Sequence, residues 1–142
     1  MGDRLAVARA FHEASPIGRE PFLALDCARE EARLWQALHV WLDHGGADSG
    51  GNPLIGCGPG TLYLDEVACL SAATQRLLLV FARSLAGRAA GTGPAGGPTR
   101  LAAGGSADLA EAVAERRFSR DLYDGLDKIR VQLGRPRRRG AA

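Results

Sequence analysis

The sequence predicts an α/β fold, with a mostly parallel sheet that is covered by helices on both faces. Three short apolar segments, 22–25, 62–64 and 100–103, alternate with segments whose apolar residues recur at helical spacing. These segments are mostly apolar rather than alternating, as expected for parallel strands buried on both faces. The chain has 142 residues, of which 46% are hydrophobic, which is enough for one domain with a modest core.

The first part of the chain contains two predicted helices and one predicted strand. A helix is predicted over 3–14 and ends before Pro16, because proline disfavours helical geometry in the residue that precedes it. The strand 22–25 follows, and then an amphipathic helix over 29–42 and a glycine-rich loop over 43–59. The apolar positions that give the two helices their spacing are Leu5, Ala8, Phe11, Leu34, Leu38, Trp41 and Leu42.

The middle of the chain contains the strand with the strongest apolar character. This strand, 62–64, is therefore expected to be the central one of the sheet. Ser71 can accept hydrogen bonds from the free N–H groups of a helix that runs to about Leu85. A second loop, rich in glycine, proline and alanine, covers 87–98.

The last part of the chain continues the alternation. The weak strand 100–103 is followed by Ser106, which is expected to cap a helix over 107–115. A short helix is predicted over 118–126 and a last strand over 129–133. These segments predict a sheet of about four strands, which is an ordinary size.

Charge and cysteine content exclude several kinds of site. The net charge of +2 is too small to predict nucleic-acid or membrane binding by itself. The three cysteines and three histidines lack metal-ligand or CxxC spacing, so we expect neither a metal site nor a disulfide framework. No apolar run approaches the roughly 18 residues of a membrane span, and the N-terminus does not resemble a signal peptide. We expect a reduced, cytoplasmic protein with one domain over 1–133 and a basic, disordered tail over 134–142.

The segment 60–67 carries the first indication of chemistry. Its apolar strand ends in Asp65 and Glu66, the arrangement by which nucleotide-hydrolysing proteins hold Mg²⁺ beside a nucleotide. The partner motif would be a glycine-rich loop that ends in Gly-Lys and surrounds phosphates with backbone N–H groups. The single lysine of the chain is Lys128, and no such loop is present. The sequence therefore contains half of a nucleotide site.

Taken in order, four segments resemble the central AAA+ ATPase domain of sigma-54-dependent transcriptional activators. The likeness runs from about residue 5 to residue 133. It implies a three-layer, mostly parallel sheet of the P-loop AAA+ type that lacks the first strand, the P-loop and the helical lid. The segments are 8–28 (with ARAFHEASP and PFLALDCA), 60–67 (GTLYLDEV), 72–80 and 101–126 (ending in FSRDLYDGL).

The resemblance implies a role for five residues. Asp65 would be a vestigial Mg²⁺ ligand, and Glu66 would be a vestigial catalytic residue. Arg4 falls on the position of the phosphate-binding lysine, and Ser106 falls on that of a sensor residue. Arg120 lies one residue from an arginine-finger position, which on a helix is a rotation of about 100°. The resemblance thus implies either no cofactor or weakly bound ATP and Mg²⁺. By its position alone, Arg4 is a surface residue of the predicted first helix.

Three functions stay open. The first is a domain related to transcription regulation that does not hydrolyse ATP and acts as a protein-interaction module, binding a related AAA+ activator subunit or a second copy of itself. The second is an atypical ATP-binding activator domain, and the third is a truncated relic without function. We expect no enzyme activity, because the lysine and the fingers are missing.

The expected partners follow from the same resemblance and from the exposed surface that it implies. No sigma-54 contact carries over, because the family's contact loop has no counterpart between Leu34 and Pro59. Nucleic-acid binding is expected to be weak at most, through the arginines of the tail. Apolar surface is expected to be exposed along the helix segment 5–11 and at the outer edge of the sheet, where it would support association with another domain.

Overall fold

The computed structural model describes residues 2–46, 50–89 and 96–128. The predicted strand over 129–133 and the predicted tail over 134–142 lie outside these residues. The centre of the fold is a parallel sheet with the strand order β1-β2-β3-β4. The strands are β1 (Phe22–Asp26), β2 (Thr61–Asp65), β3 (Arg100–Ala103) and β4 (Asp127–Lys128).

The parallel sheet confirms the predicted α/β fold. β2 lies between β1 and β3, and all five of its residues are buried. Its apolar sequence fits this interior position, since a parallel strand covered on both faces has no solvent side for polar residues. The register places Asp26 of β1 directly beside Asp65 of β2, so both strands end at the same edge of the sheet.

The helices agree with the predicted ones to within a few residues at most ends. None of those in the described part of the chain is long and apolar enough to cross a membrane. A 3-10 turn over Val67–Cys69 follows β2 directly. The helices are α1 (Gly2–Ala14), α2 (Glu31–Asp43), α3 (Pro53–Gly56), α4 (Ala72–Ala89), α5 (Leu109–Ala114) and α6 (Arg120–Gly125).

Two local predictions are wrong. The predicted loop over 43–59 contains the short helix α3, whose first N–H groups are capped by Asn52 Oδ1, 3.0 Å from the N–H of Leu54. The cap of α5 is Asp108 rather than Ser106, with Asp108 Oδ1 lying 3.1 Å from the N–H of Glu111. Ser106 instead contacts the carboxylate of Glu66.

The two faces of the sheet carry different layers. Because successive strand residues point to opposite faces, Tyr63 packs with Ala8 of α1 on one face, whereas Leu62 and Leu64 point to the other. On that second face, the strands form one core with α2, α4, α5 and α6. The sheet therefore lies between α1 on one face and α2, α4, α5 and α6 on the other.

Candidate functional site

The acidic pair lies where β2 ends. Asp65 is the last residue of the strand, and Glu66 follows in the left-handed backbone conformation, with φ at +54°. A side chain makes this conformation unfavourable by about 1–2 kcal/mol, so the surrounding contacts must hold it. One such contact is the N–H of Val67, which donates to the carbonyl of Gly104 at 3.3 Å. The turn directs the two carboxylates toward the space next to α1.

Arg4 of α1 bridges both carboxylates. Its Nε lies 2.9 Å from Asp65 Oδ1, and its Nη2 lies 3.1 Å from Asp65 Oδ2 and 3.0 Å from Glu66 Oε2. The guanidinium thus uses its planar fork on one carboxylate and extends to the second, a geometry that a single ammonium cannot reproduce. The Arg4 side chain is 20% exposed and that of Asp65 is 0% exposed. The interpretation of Arg4 as an ordinary surface residue is therefore wrong.

Tyr63 completes the enclosure of Asp65. Its hydroxyl donates to Asp65 Oδ1 at 2.7 Å, from two residues earlier in the same strand. The hydroxyl fits there because Gly104 has no side chain: a Cβ at that position would lie 2.6 Å from the Tyr63 oxygen. Both oxygens of Asp65 are therefore hydrogen-bonded, as a fully buried carboxylate requires.

The ionisation of this cluster follows from its contacts. Burial raises the pKa of Asp65, but the hydrogen bonds from Arg4 and Tyr63 outweigh burial, so that the pKa lies below its ordinary value. The hydrogen bond to Asp65 raises the pKa of Arg4. Burial, together with the bond to Asp65, raises the pKa of the Tyr63 hydroxyl. At neutral pH the cluster therefore contains a charged arginine, a charged aspartate and a protonated tyrosine.

Ser106 holds the second carboxylate. Its N–H donates to Glu66 Oε1 at 3.0 Å, and its hydroxyl lies 3.1 Å from both Glu66 oxygens. Because Ser106 follows β3, this contact joins the ends of two neighbouring strands. Four of the five residues singled out in the sequence, namely Arg4, Asp65, Glu66 and Ser106, thus form one connected group.

The fifth residue, Arg120, lies elsewhere. It is the exposed first residue of α6, and no hydrogen bond or ion pair within the described ranges connects it to Asp65 or Glu66. Its neighbour Ser119 caps α6, with the hydroxyl oxygen 3.2 Å from the N–H of Leu122, and donates its own N–H to Gln75 Oε1 at 2.8 Å. This corner of the fold has a structural role in joining α6 to α4.

Sequence reasoning missed the part that His12 plays. This residue is 2% exposed, and its Nε2 lies 2.7 Å from the carbonyl oxygen of Glu20, which can only accept. In the neutral ring Nδ1 then accepts from the hydroxyl of Thr61, 2.8 Å away. The available signal was the spacing of Arg4, Ala8 and His12, which lie four residues apart and share one helix face.

The contacts of α1 show how the helix lies on the sheet. Arg4 meets the end of β2, Ala8 packs with Tyr63 in its middle, and His12 meets its first residue. α1 therefore runs opposite to β2, with a polar contact at each end of the strand. This arrangement fixes the position from which Arg4 reaches the acidic pair.

The acidic pair in this arrangement does not fit a divalent cation. Mg²⁺ requires oxygen ligands at about 2.0–2.1 Å in octahedral geometry. The oxygens that would supply them already accept hydrogen bonds from Arg4, Tyr63 and Ser106. Across the described residues, no group of three or more His, Cys, Asp or Glu side chains is placed to hold a metal ion. A metal ion at this site would have to compete with Arg4 for the same carboxylates.

Comparisons with known proteins agree with the motifs. The family model of the sigma-54 interaction domain matches residues 3–132. The chain is 33% identical over 133 residues to the DNA-binding transcriptional regulator NtrC of Escherichia coli K12, a match covering 89% of this chain and 28% of NtrC. It is 32% identical over 131 residues to the Nif-specific regulatory protein of Sinorhizobium fredii, covering 89% of this chain and 22% of that protein.

Solved structures give the same result. The chain resembles NtrX from Brucella abortus, crystallised in complex with ATP, with a TM-score of 0.61 and 26% identity over 89% of this chain and 28% of NtrX. The chain thus spans less than a third of the length of these relatives. The resemblance inferred from the motifs is confirmed. Since the family model covers nearly all of the chain, this protein belongs to the sigma-54 interaction domain family, the AAA+ domain of NtrC-type transcriptional regulators.

Proposed function

We propose that this domain serves transcription regulation as a protein-interaction module and does not hydrolyse ATP. The observation that carries the proposal is the contact of Arg4 with both carboxylates of the acidic pair. In hydrolysing relatives of this fold class, the metal ion at the strand end neutralises phosphate charge during transfer. Here a side chain of the protein itself occupies the oxygens that would hold the metal.

Three further features support the absence of hydrolysis. The position of the phosphate-binding lysine holds Arg4, whose Nε and Nη2 are already bonded to carboxylates. The resemblance places Asp3 on the last glycine of the family's phosphate-binding loop, where close approach to phosphate needs glycine, and its charge would repel phosphate. Arg120 lies one residue from the arginine-finger position, a rotation of about 100° on a helix, and an arginine finger is worth about 10³–10⁵ in rate.

Exposed surface supports the interaction role. The side chain of Phe11 on α1 is 50% exposed. β1 is an edge strand that, within the described residues, pairs only with β2, so its other edge carries no strand pairing there. A related AAA+ domain or a second copy of this chain could cover both features.

The first experiment tests the nucleotide. We expect no ATP hydrolysis above background, and a dissociation constant for a fluorescent ATP analogue with Mg²⁺ of about 1 mM or weaker, since the phosphate cradle is missing. Asp65→Ala should leave this weak binding unchanged. Micromolar binding that disappears in Asp65→Ala would contradict the proposal and favour an ATP-binding activator domain.

The second experiment tests association. We expect light scattering of the full chain, alone and mixed with the homologous domain of Escherichia coli NtrC, to detect complexes that persist in high salt, because apolar burial is not screened. A chain that ends at Leu133 should behave alike, whereas association driven by the arginine tail would vanish with salt.

Two substitutions test which surface of the domain is used for association. Phe11→Ser should weaken association, while Val80→Ser is the matched control, because Val80 is 49% exposed but lies on α4. A monomer at every salt concentration that binds no related domain would contradict the interaction role and leave the relic as the explanation.

One observation favours the alternative of an atypical ATP-binding domain. The structure of NtrX, which resembles this chain, was determined in complex with ATP. For this chain to bind ATP and Mg²⁺ in a comparable place, Arg4 would have to leave Asp65. The nucleotide titration above separates the two candidates.

A further inference from the structure

We infer that Arg4 is the resident cation of the Asp65–Glu66 pair and closes this site to divalent metal ions and to the phosphates that such ions carry. The inference deepens the proposed function and rests on it, because a site closed in this way cannot take part in hydrolysis. It assigns a specific role to one side chain: removing Arg4 should create a divalent-cation site that the native protein lacks.

The geometry indicates that Arg4 occupies the position of a metal ion rather than lying beside it. A divalent ion would have to coordinate the Asp65 and Glu66 oxygens that face α1, and Arg4 lies within 3.1 Å of three of these oxygens. A guanidinium and a metal ion at these oxygens would repel each other, because both are cations that approach the same carboxylates from the same side. Occupation by one therefore disfavours the other.

The surroundings fix Arg4 in this position. Ala8 packs against the sheet one turn after Arg4, and His12 is held at both ring nitrogens two turns after it. The helix that carries Arg4 thus cannot slide along β2 without breaking buried contacts. On the other side, Ser106 and the left-handed turn at Glu66 hold the second carboxylate in place.

The charges of the site explain why the acidic pair would bind another cation if Arg4 were removed. Asp65 is fully enclosed, and a buried carboxylate that loses a hydrogen-bonded cationic partner is strongly destabilised. Among the described residues, the ion pairs of Asp65 and Glu66 are those with Arg4. Without Arg4, two adjacent carboxylates would share a partly buried space with no cation between them, and a divalent ion would relieve their repulsion.

The test uses Mn²⁺, which takes oxygen ligands as Mg²⁺ does and whose free form is quantified by electron paramagnetic resonance. The full chain is titrated without nucleotide as the native protein, as Asp65→Asn, as Arg4→Met, and as Arg4→Met combined with Asp65→Asn. Arg9→Met is the matched control, because Arg9 lies on the same helix but stacks over the ring of Phe22, 4.7 Å from its centre.

We expect Arg4→Met to bind one Mn²⁺ at least about tenfold more tightly than the native chain, since two uncompensated carboxylates attract a divalent ion strongly. Arg9→Met should behave like the native chain, and the double variant should lose the gain. Mn²⁺ binding to the native chain that Asp65→Asn abolishes would overturn the inference. So would a folded Arg4→Met that gains no binding.

A second variant covers the case in which Arg4→Met does not fold in the absence of metal. Arg4→Gln keeps a hydrogen-bond donor to the acidic pair but removes the charge. Its melting temperature should rise on addition of Mn²⁺, whereas that of the native chain should not change. An equal rise in both proteins, or none in Arg4→Gln, would contradict the role of Arg4. These readouts contain no ATP and no partner, so they can fail while the proposed function stands, and the reverse also holds.

Discussion

The two faces of the sheet are held by different kinds of contact. On the face that carries α2 and α4, twenty buried residues of the described part of the chain form one continuous apolar core. On the face that carries α1, the described residues form a smaller apolar cluster of Ala8, Tyr63 and Ala102, with Leu5, Val7, Phe22 and Ala24 partly buried against it. Polar contacts at Arg4 and His12 add to this packing. The first face therefore holds most of the buried apolar core, and the second places Arg4 against the acidic pair.

The largest effect is expected from a substitution in the core of the first face. Phe81 is 0% exposed and packs edge-on against Trp41, with ring centres 4.7 Å apart. Phe81→Ala should lower the free energy of unfolding by about 3–5 kcal/mol, because it leaves a cavity in a close-packed core. Urea denaturation measures this change, and a loss smaller than that caused by substituting Arg4 would reverse the comparison of the two faces.

A smaller effect is expected from the polar attachment of α1. Arg4→Met leaves the enclosed carboxylate of Asp65 without this cation, and we expect the free energy of unfolding to fall by about 2 kcal/mol, less than for a fully buried pair because the Arg4 side chain is 20% exposed. Arg9→Met removes only a cation–π contact with Phe22 and should cost about 0.5–1 kcal/mol. Equal losses for the two variants in urea denaturation would show that the contact with the acidic pair contributes no special stability.

Low pH should weaken the contact between α1 and the acidic pair and so lower the stability of the protein. The pKa of Asp65 is below its ordinary value in the folded chain, so its contribution to stability is fully present above the unfolded pKa of about 3.9 and is lost as pH falls through the folded pKa. Native protein should therefore lose stability below about pH 4 more steeply than Asp65→Asn. Thermal melts between neutral and acidic pH measure the difference, and parallel curves for the two proteins would contradict it.

The smallest effect on stability is expected at the exposed side of α1. Phe11 is half exposed, so Phe11→Ser should change the free energy of unfolding by no more than about 0.5 kcal/mol. This would make the variant suitable for the association experiment, because any loss of binding could not be attributed to unfolding. A large destabilisation in urea would mean that Phe11 contributes to the attachment of α1.

The elements of the fold were predictable where the signal is local. The apolar run of β2 and the helical spacing in α1 and α2 are properties of neighbouring residues, and the structure places these elements within a few residues of the prediction. The helix α3 was missed although Asn52 and Pro53 are a capping residue and a favoured first residue. The glycines around them gave the segment the composition of a loop.

The candidate site was predictable only in part, because its contacts join distant residues. The motifs pointed to Arg4, Asp65, Glu66 and Ser106, yet nothing local showed that Arg4 would reach the carboxylates across 61 residues of sequence. Ser106 illustrates the same limit. A serine before a helix is an ordinary cap, and Glu66, brought close by the pairing of β2 and β3, took its hydroxyl and N–H instead.

Because α1 and β2 run in opposite directions, the domain should tolerate substitutions in α1 better than changes in its length. Arg4 and His12 are eight residues apart, about 12 Å of helix, and they meet Asp65 and Thr61, which are four residues apart, about 13 Å of strand. The helix length between the two contacts therefore agrees with the strand length that it spans. Substituting an outward residue such as Ala10 leaves the match intact. Inserting one residue between the two contacts would turn the helix by about 100°, so that only one end could still engage.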